Sequence, residues 1–257
     1  MRAVILAGGR GTRLTPYSAV LPKPLLPIGD MPILELLMRQ LKQFGVERVT
    51  LAVGYLAPLV RAYFGTGERI GLPVDYSQEG KPLGTAGPLR LVPGLDEAFL
   101  VMNGDLLTDL DVRAMAQFHR RQRAAATVGI CERDVQIDFG VVETDGAHRV
   151  VGYREKPTHH QLVSMGVYVL EPRVLRHIAA GRPFDLPDLI STLLAVGEPV
   201  AGYLHPGYWL DIGRPEDYQR AQDDFPTMKR HLLGMGRRRP RYSRRHGRVA
   251  AVLAAAR

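Results

Sequence analysis

The stretch LAGGRGTRLTPYSAVLPKPLLPIGD, Leu6–Asp30, holds four glycines, four prolines, two arginines and one lysine, with no acid before Asp30. It emerges from an apolar run, Ala3-Val4-Ile5-Leu6. Glycines let a backbone approach an anion closely, and successive N–H groups form a nest around it. Arg13 and Lys23 add two full positive charges. One phosphate does not need this many donors, so the pattern suits a ligand with several. Two acids stand apart from this loop. Asp105 closes the run Val101-Met102-Asn103-Gly104-Asp105, and Asp211 lies in Tyr208-Trp209-Leu210-Asp211-Ile212-Gly213. The first reads as the carboxyl end of a strand, where open α/β sheets bind ligands.

Three kinds of phosphate loop compete for Leu6–Asp30. A Walker A loop needs G-x-x-x-x-G-K-[ST], and no such run occurs. A dinucleotide fingerprint needs G-x-G-x-x-G, but Leu14 stands where the third glycine belongs. The second strand also ends in Val53-Gly54-Tyr55, without the acid that binds a ribose. The third pattern is G-G-x-G-T-R-L followed by Lys23 between two prolines, and it resembles the signature of the sugar-1-phosphate nucleotidyltransferases. The resemblance covers about residues 2–225, and its segments fall in the family's order.

That resemblance implies a Rossmann-like α/β fold with a mixed, mostly parallel sheet. It also implies a reaction: a nucleoside triphosphate and a sugar-1-phosphate give a nucleoside-diphosphate-sugar and pyrophosphate. Leu6, Ala7, Gly8, Gly9, Gly11 and Thr12 would bind the nucleotide, and Gln78, Gly84 and Thr85 would read its base. Arg13 would clamp the leaving pyrophosphate, and Lys23 would bridge the two reacting phosphates. Asp105 and Asp211 would hold Mg²⁺, an ion that commonly takes one or two carboxylates. Gly140, Glu155, Lys156, Ser164 and Gly166 would form the sugar-phosphate wall. LPKPLLPIGDMPILE is similar to the mannose-1-phosphate guanylyltransferase-like members. Ser164 departs from the asparagine that many members carry, and VSMGVYV is similar to the glucose-1-phosphate adenylyltransferases. GTP with mannose-1-phosphate, or a related hexose or heptose phosphate, is therefore the leading pair. The alternatives are dTTP, UTP or ATP with glucose-1-phosphate or a cyclitol phosphate.

Each motif has a plainer reading when taken alone. Gly104-Asp105 could end a strand and open a turn, Asp211 could cap the next helix, and Trp209 could be core. Their joint order argues against coincidence. A sugar-nucleotide-binding regulator without activity is the reading of another class, but it should lack Lys23, Asp105 or Asp211, and all three are present. The eight histidines show no metal-ligand spacing, and Cys131 reads as a buried strand residue.

The elements that must position these groups follow from hydrophobic period. Strands are expected at Arg2–Ala7, Arg48–Tyr55, Val74–Gln78, Ala98–Met102, Ala126–Cys131, Val163–Leu170, Val200–Leu204 and Tyr208–Ile212. Helices are expected at Ile33–Phe44, Leu56–Phe64, Val112–Arg123, Pro172–Ala180 and Leu186–Val196, with a last one opening at Gly213–Asp217. Alternating strands and helices mean a parallel sheet covered on both faces. Gly140–Glu143 and Arg149–Arg154, separated by Thr144-Asp145-Gly146, read as a hairpin within an antiparallel insertion near residues 133–170.

The formal charge of +8 belongs mostly to one end of the chain. Residues 229–257 contain ten Lys/Arg and no Asp/Glu, while residues 1–228 carry 24 basic and 26 acidic residues. The expected organisation is one nucleotidyltransferase domain over 1–233 and a basic, disordered tail over 234–257. That tail has little aromatic interleaving, so no specific nucleic-acid partner is expected. One cysteine, no signal peptide and no membrane-length apolar run point to a cytoplasmic setting. Self-association as a homo-oligomer is left open.

Overall fold

The computed structural model describes residues 1–233, so the expected basic tail lies outside the described residues. The first half of the chain runs β1 (Arg2–Ala7), α1 (Tyr17–Val20), β2 (Pro27–Ile28), β3 (Met31–Pro32), α2 (Ile33–Gln43), β4 (Arg48–Val53), α3 (Ala57–Phe64), β5 (Val74–Gln78), β6 (Phe99–Asn103), β7 (Leu106–Thr108) and α4 (Val112–Gln122). The second half runs β8 (Ala126–Gln136), β9 (Val141–Thr144), β10 (Val150–Arg154), β11 (Thr158–Leu170), α5 (Leu186–Ala195), β12 (Val200–Leu204), β13 (Trp209–Asp211) and α6 (Pro215–Leu232).

Local chemistry sets several boundaries. Asp111 caps α4 by accepting from the backbone N–H groups of Arg113 and Ala114. Asp185 and Asp188 form a reciprocal capping box at the start of α5. Helix α6 opens with Pro215 and carries Glu216 and Asp217 in its first turn, where the helix dipole favours acids.

Seven strands form one sheet in the order β12-β8-β11-β6-β1-β4-β5. Pairs β1/β4, β1/β6, β4/β5 and β8/β12 are parallel, and β11 alone runs against its two neighbours, β6 and β8. The sheet is therefore mixed and mostly parallel, as expected, but the reversed strand lies inside it. Strands β8 and β11 also extend five residues beyond the expected ends, to Gln136 and back to Thr158. The extra residues form a ribbon that leaves the carboxyl edge of β6 and is largely exposed on both faces. Their polar character (Glu132-Arg133-Asp134 facing His160-Gln161-Leu162) hides the pairing from any apolar period. The segment expected as a helix at Pro172–Ala180 is a tight 3₁₀ turn, Pro172–His177.

Two apolar clusters cover the two faces of the sheet, one centred on Ile5, Leu37 and Met102, the other on Val4, Phe99 and Leu189. A third joins distant parts of the chain, packing Leu14 and Ile28 against Leu210, Ile212 and Phe225. It fastens the glycine-rich loop to the segment around Asp211. Leu14→Ala should cost about 2–5 kcal/mol, the range for emptying a fully buried leucine site. Urea unfolding checks this, and a cost under about 1 kcal/mol would mean the loop is held elsewhere.

Candidate active site

The carboxyl ends of β1, β4 and β6 meet the glycine-rich loop. Gly104 donates its N–H to Leu6 O at 2.9 Å, and Tyr55 donates its N–H to Gly8 O at 3.1 Å, so both flanking strands are stitched to β1. Gly11 has φ of 63°, and a Cβ there would lie 3.1 Å from the Cβ of Lys23. A side chain at that position would be strained and crowded against Lys23. Gly11 O also accepts from Leu14 N–H at 2.9 Å and from Ser18 Oγ at 2.7 Å, which curls the loop over the lysine.

Lys23 is consequently 9% exposed, and its Nζ donates to Asp105 Oδ2. The other oxygen, Asp105 Oδ1, is buried and has no hydrogen-bond partner among the described residues. Such a group is costly unless something else satisfies it. Ile212 donates its N–H to Asp105 O at 3.1 Å, bringing Asp211 alongside. The protein packed around Asp211 and the charge of Asp105 together raise its pKa, against the opposing pull of Lys23 and Arg13. Arg13 and Asp211 also converge at Gly213, where a Cβ would lie 3.8 Å from Arg13 Nη1 and 3.9 Å from Asp211 Oδ2. Arg13, Lys23, Asp105 and Asp211 thus form one charge cluster.

A cleft of about 650 Å³ opens from Asp105. Leu6, Gly8, Gly9, Gly84 and Thr85 line it, together with Arg10, Tyr55, Glu79, Lys81 and Asn103, which sequence reading did not single out. Ala7 is buried behind the loop, and Thr12 O accepts from Thr15. Thr85 is committed to the protein: its N–H and Oγ1 donate to Asp185 Oδ1 at 2.7 and 3.0 Å, and Oγ1 accepts from Leu186 N–H at 2.8 Å. Asp185 therefore ties the Gly84–Thr85 loop to the start of α5. Gln78 is exposed and does not line the cleft; its Oε1 lies 3.5 Å from Arg61 Nη2.

The expected sugar wall is the β8/β11 ribbon and its β9–β10 hairpin. Gly140, Glu155 and Lys156 lie there, outside the cleft lining, and Glu155 accepts from Tyr153 OH at 2.9 Å. Ser164 and Gly166 sit at a bulge in β11, where the register to β8 slips between Ser164 and Tyr168. Gly166 has φ of 70°, and a Cβ there would meet Asn103 Nδ2 at 2.5 Å. Trp209 Nε1 donates to Met165 O at 2.9 Å and pins this bulge to β13.

A buried trio supports β13 from behind. Asp109 accepts from Tyr208 N–H at 2.7 Å and pairs with His205 at 2.8 Å and His231 at 2.9 Å. It links the approach to Asp211 with the end of α6. No spacing signal marks these residues, because they are brought together only by the fold. Burial alone would raise the pKa of Asp109, but the two histidines outweigh it and hold the carboxyl below its ordinary value. Cys131 is buried, which pushes its thiol up to about 11, so it stays protonated and unreactive at neutral pH. No group of three or more His, Cys, Asp or Glu among the described residues has the arrangement of a metal cage. No described helix is long and apolar enough to cross a membrane.

Residues 2–227 match the nucleotidyl transferase family. The chain belongs to that family. Among curated nucleotidyl transferase relatives, a mannose-1-phosphate guanylyltransferase of Mycobacterium tuberculosis is 37% identical over 231 residues, 87% of this chain and 64% of the relative. A UTP–glucose-1-phosphate uridylyltransferase of Synechocystis sp. is 35% identical over 241 residues, 86% of this chain and 62% of the relative. The chain thus spans under two thirds of the length of these relatives. The crystal structure of HddC from Yersinia pseudotuberculosis matches with a TM-score of 0.68 at 27% identity, covering 87% of this chain and 99% of that one. The same protein has been solved complexed with GMP-PN.

Asp109→Ala should destabilise the nucleotidyl transferase fold by about 3–5 kcal/mol, the scale of removing one member of a buried charged set. A carboxyl with a lowered pKa contributes fully above its ordinary value of 3.8 and loses that contribution as pH falls through the lowered value. The gap between wild type and Asp109→Ala in urea unfolding should therefore narrow as pH falls below about 3.8.

Proposed function

We propose that the chain transfers a nucleotidyl group from a nucleoside triphosphate to a sugar-1-phosphate, with GTP and mannose-1-phosphate as the favoured pair. The observation that carries this reading is the buried Lys23–Asp105 pair, with Arg13 and Asp211 beside it, at the phosphate end of a glycine-lined cleft. A phosphate oxygen of the sugar attacks the α-phosphorus and forms a P–O bond. The P–O bond to the β-phosphate breaks, and pyrophosphate leaves with the electron pair. The nucleophile is already an anion, so no general base is required. This agrees with a cluster made of fixed charges.

The chemical problem is to bring two polyanions together. Positioning and charge neutralisation supply the acceleration in such transfers. Gly8 and Gly9 let the backbone approach the triphosphate. Arg13 faces the leaving pyrophosphate with a planar fork that matches phosphate oxygens. Lys23 acts as a point charge between the reacting phosphates. The ribbon carrying Glu155 and Lys156 supplies groups for the sugar hydroxyls and the sugar phosphate.

Asp105 and Asp211 fit Mg²⁺: both are hard oxygen donors, and Asp105 Oδ1 is buried without a partner among the described residues. A bound Mg²⁺ would neutralise charge on the triphosphate. Lys23 Nζ holds Asp105 Oδ2, which leaves Oδ1 for the ion.

A second reading, UTP with glucose-1-phosphate, is favoured by the uridylyltransferase relative. Pyrophosphate release, followed over four nucleoside triphosphates and mannose-, glucose-, N-acetylglucosamine- and heptose-1-phosphates, separates the two. No release with any pair would leave the non-catalytic regulator. Arg13→Ala should lower the rate by about 10²-fold or more, the scale of removing one transition-state charge donor. Asp105→Asn should abolish pyrophosphate release, and near wild-type turnover would sink its assignment.

A further inference from the structure

Arg133 stands on the outer half of β8, where it pairs with Gln161 of β11. Its guanidinium lies over the indole of Trp209, 5.5 Å from the ring centroid. The indole is itself fixed, because Nε1 donates to Met165 O at 2.9 Å. Arg133 makes no ion pair and no side-chain hydrogen bond among the described residues. Asp134 does not neutralise it: consecutive residues of a strand point to opposite faces, and Asp134 pairs with His160 at 2.6 Å. Two contacts tie this cation to the charge cluster. Trp209 and Asp211 are alternate residues of β13, so they leave the same face of the strand, about 7 Å apart along it. Met165, which holds the indole, precedes Gly166, and Gly166 packs on Asn103 in the cleft lining. An uncommitted arginine thus sits on a fixed platform beside Asp211.

We propose that Arg133, seated on Trp209, is a further phosphate-binding residue of this site. The proposal rests on the nucleotidyl-transfer reading and adds a substrate contact to it. A guanidinium over an indole keeps its charge and its five N–H donors. With no carboxylate to take them, those donors are open to an anion, and both substrates of the transfer are phosphates. Arginine's planar fork matches two phosphate oxygens at once, which a lysine's single point charge cannot do. The platform also matters to the energetics. A long side chain already held against a ring has less freedom left to lose when the ligand arrives. Arg133 lies on the exposed ribbon, so it can meet a substrate without opening the core. Two sources of phosphate take part in the reaction, the sugar-1-phosphate and the triphosphate, and the test separates them.

The test is equilibrium binding of GTP, UTP, mannose-1-phosphate and glucose-1-phosphate to the whole chain, wild type, Arg133→Gln and Arg133→Lys, beside pyrophosphate release. Arg133→Gln should weaken one class of ligand by about ten- to hundredfold, the scale of hydrogen bonds to a charged group. Arg133→Lys should recover only part of that loss, because it keeps the charge without the fork. Loss for the sugar phosphates alone assigns the contact to the sugar-1-phosphate, and loss for the triphosphates alone assigns it to the triphosphate. In turnover, KM should rise for that substrate and stay unchanged for the other. An exposed side chain can be exchanged with little effect on stability, and thermal melts of both variants should match wild type. Wild-type affinity of Arg133→Gln for every ligand that wild type binds overturns the proposal. Equal losses for both classes, or a wild type that binds none of the four, also overturn it. If wild type binds these ligands but releases no pyrophosphate with any pair, nucleotidyl transfer fails, and the binding ratios still decide the role of Arg133.

Discussion

A lysine held almost out of water against a carboxylate is the constraint around which the rest is arranged. Lys23 and Asp105 lie 82 residues apart in the chain, one in a proline-flanked turn and the other just past the end of a central strand. An unpaired charge at either place would be costly, and removing one partner of such a pair strands the other. The loop must therefore fold onto the sheet edge for either residue to be tolerated. Gly11 allows the curl, Gly104 allows the strand end to meet β1, and Leu14 anchors the loop in its own apolar cluster. The cation is thus fixed in place by the fold itself.

The second level of support comes from residues that touch no substrate in this scheme. Asp185 occupies the backbone and hydroxyl of Thr85, so the Gly84–Thr85 loop of the cleft is braced by the start of α5. Asp109 gathers His205, His231 and the Tyr208 backbone, and so braces the strand that delivers Asp211. Both ends of the site hang from carboxylates that are satisfied inside the protein.

Strand and helix positions in the first half were legible because parallel strands buried on both faces read as plain apolar runs. The four charged residues of the cluster were legible as well, from a long motif and two short ones. Other features were not. The reversal of β11 leaves no local mark, and the distal ribbon has no apolar face to reveal its length. Gln78 was expected at the cleft but does not line it, since a shift of one residue in a strand exchanges the two faces. Which of Gln78 and Glu79 faces the cleft depends on register, which sequence pattern does not specify at the end of a half-exposed edge strand. Asp109 and its histidines were invisible because their meeting is purely a product of tertiary fold.

The ribbon made by the far halves of β8 and β11 has a dynamic consequence. Backbone pairing holds it together, with few buried side chains beneath, so its local opening free energy sits at the low end of the molecule. Its amides should exchange with solvent well before those of β1, β4 and β6. The charge cluster, fastened to the sheet by Leu14 and the β1–β6 pairing, and the ribbon therefore differ in local stability, and the ribbon can bend or fray at small cost to the rest of the fold.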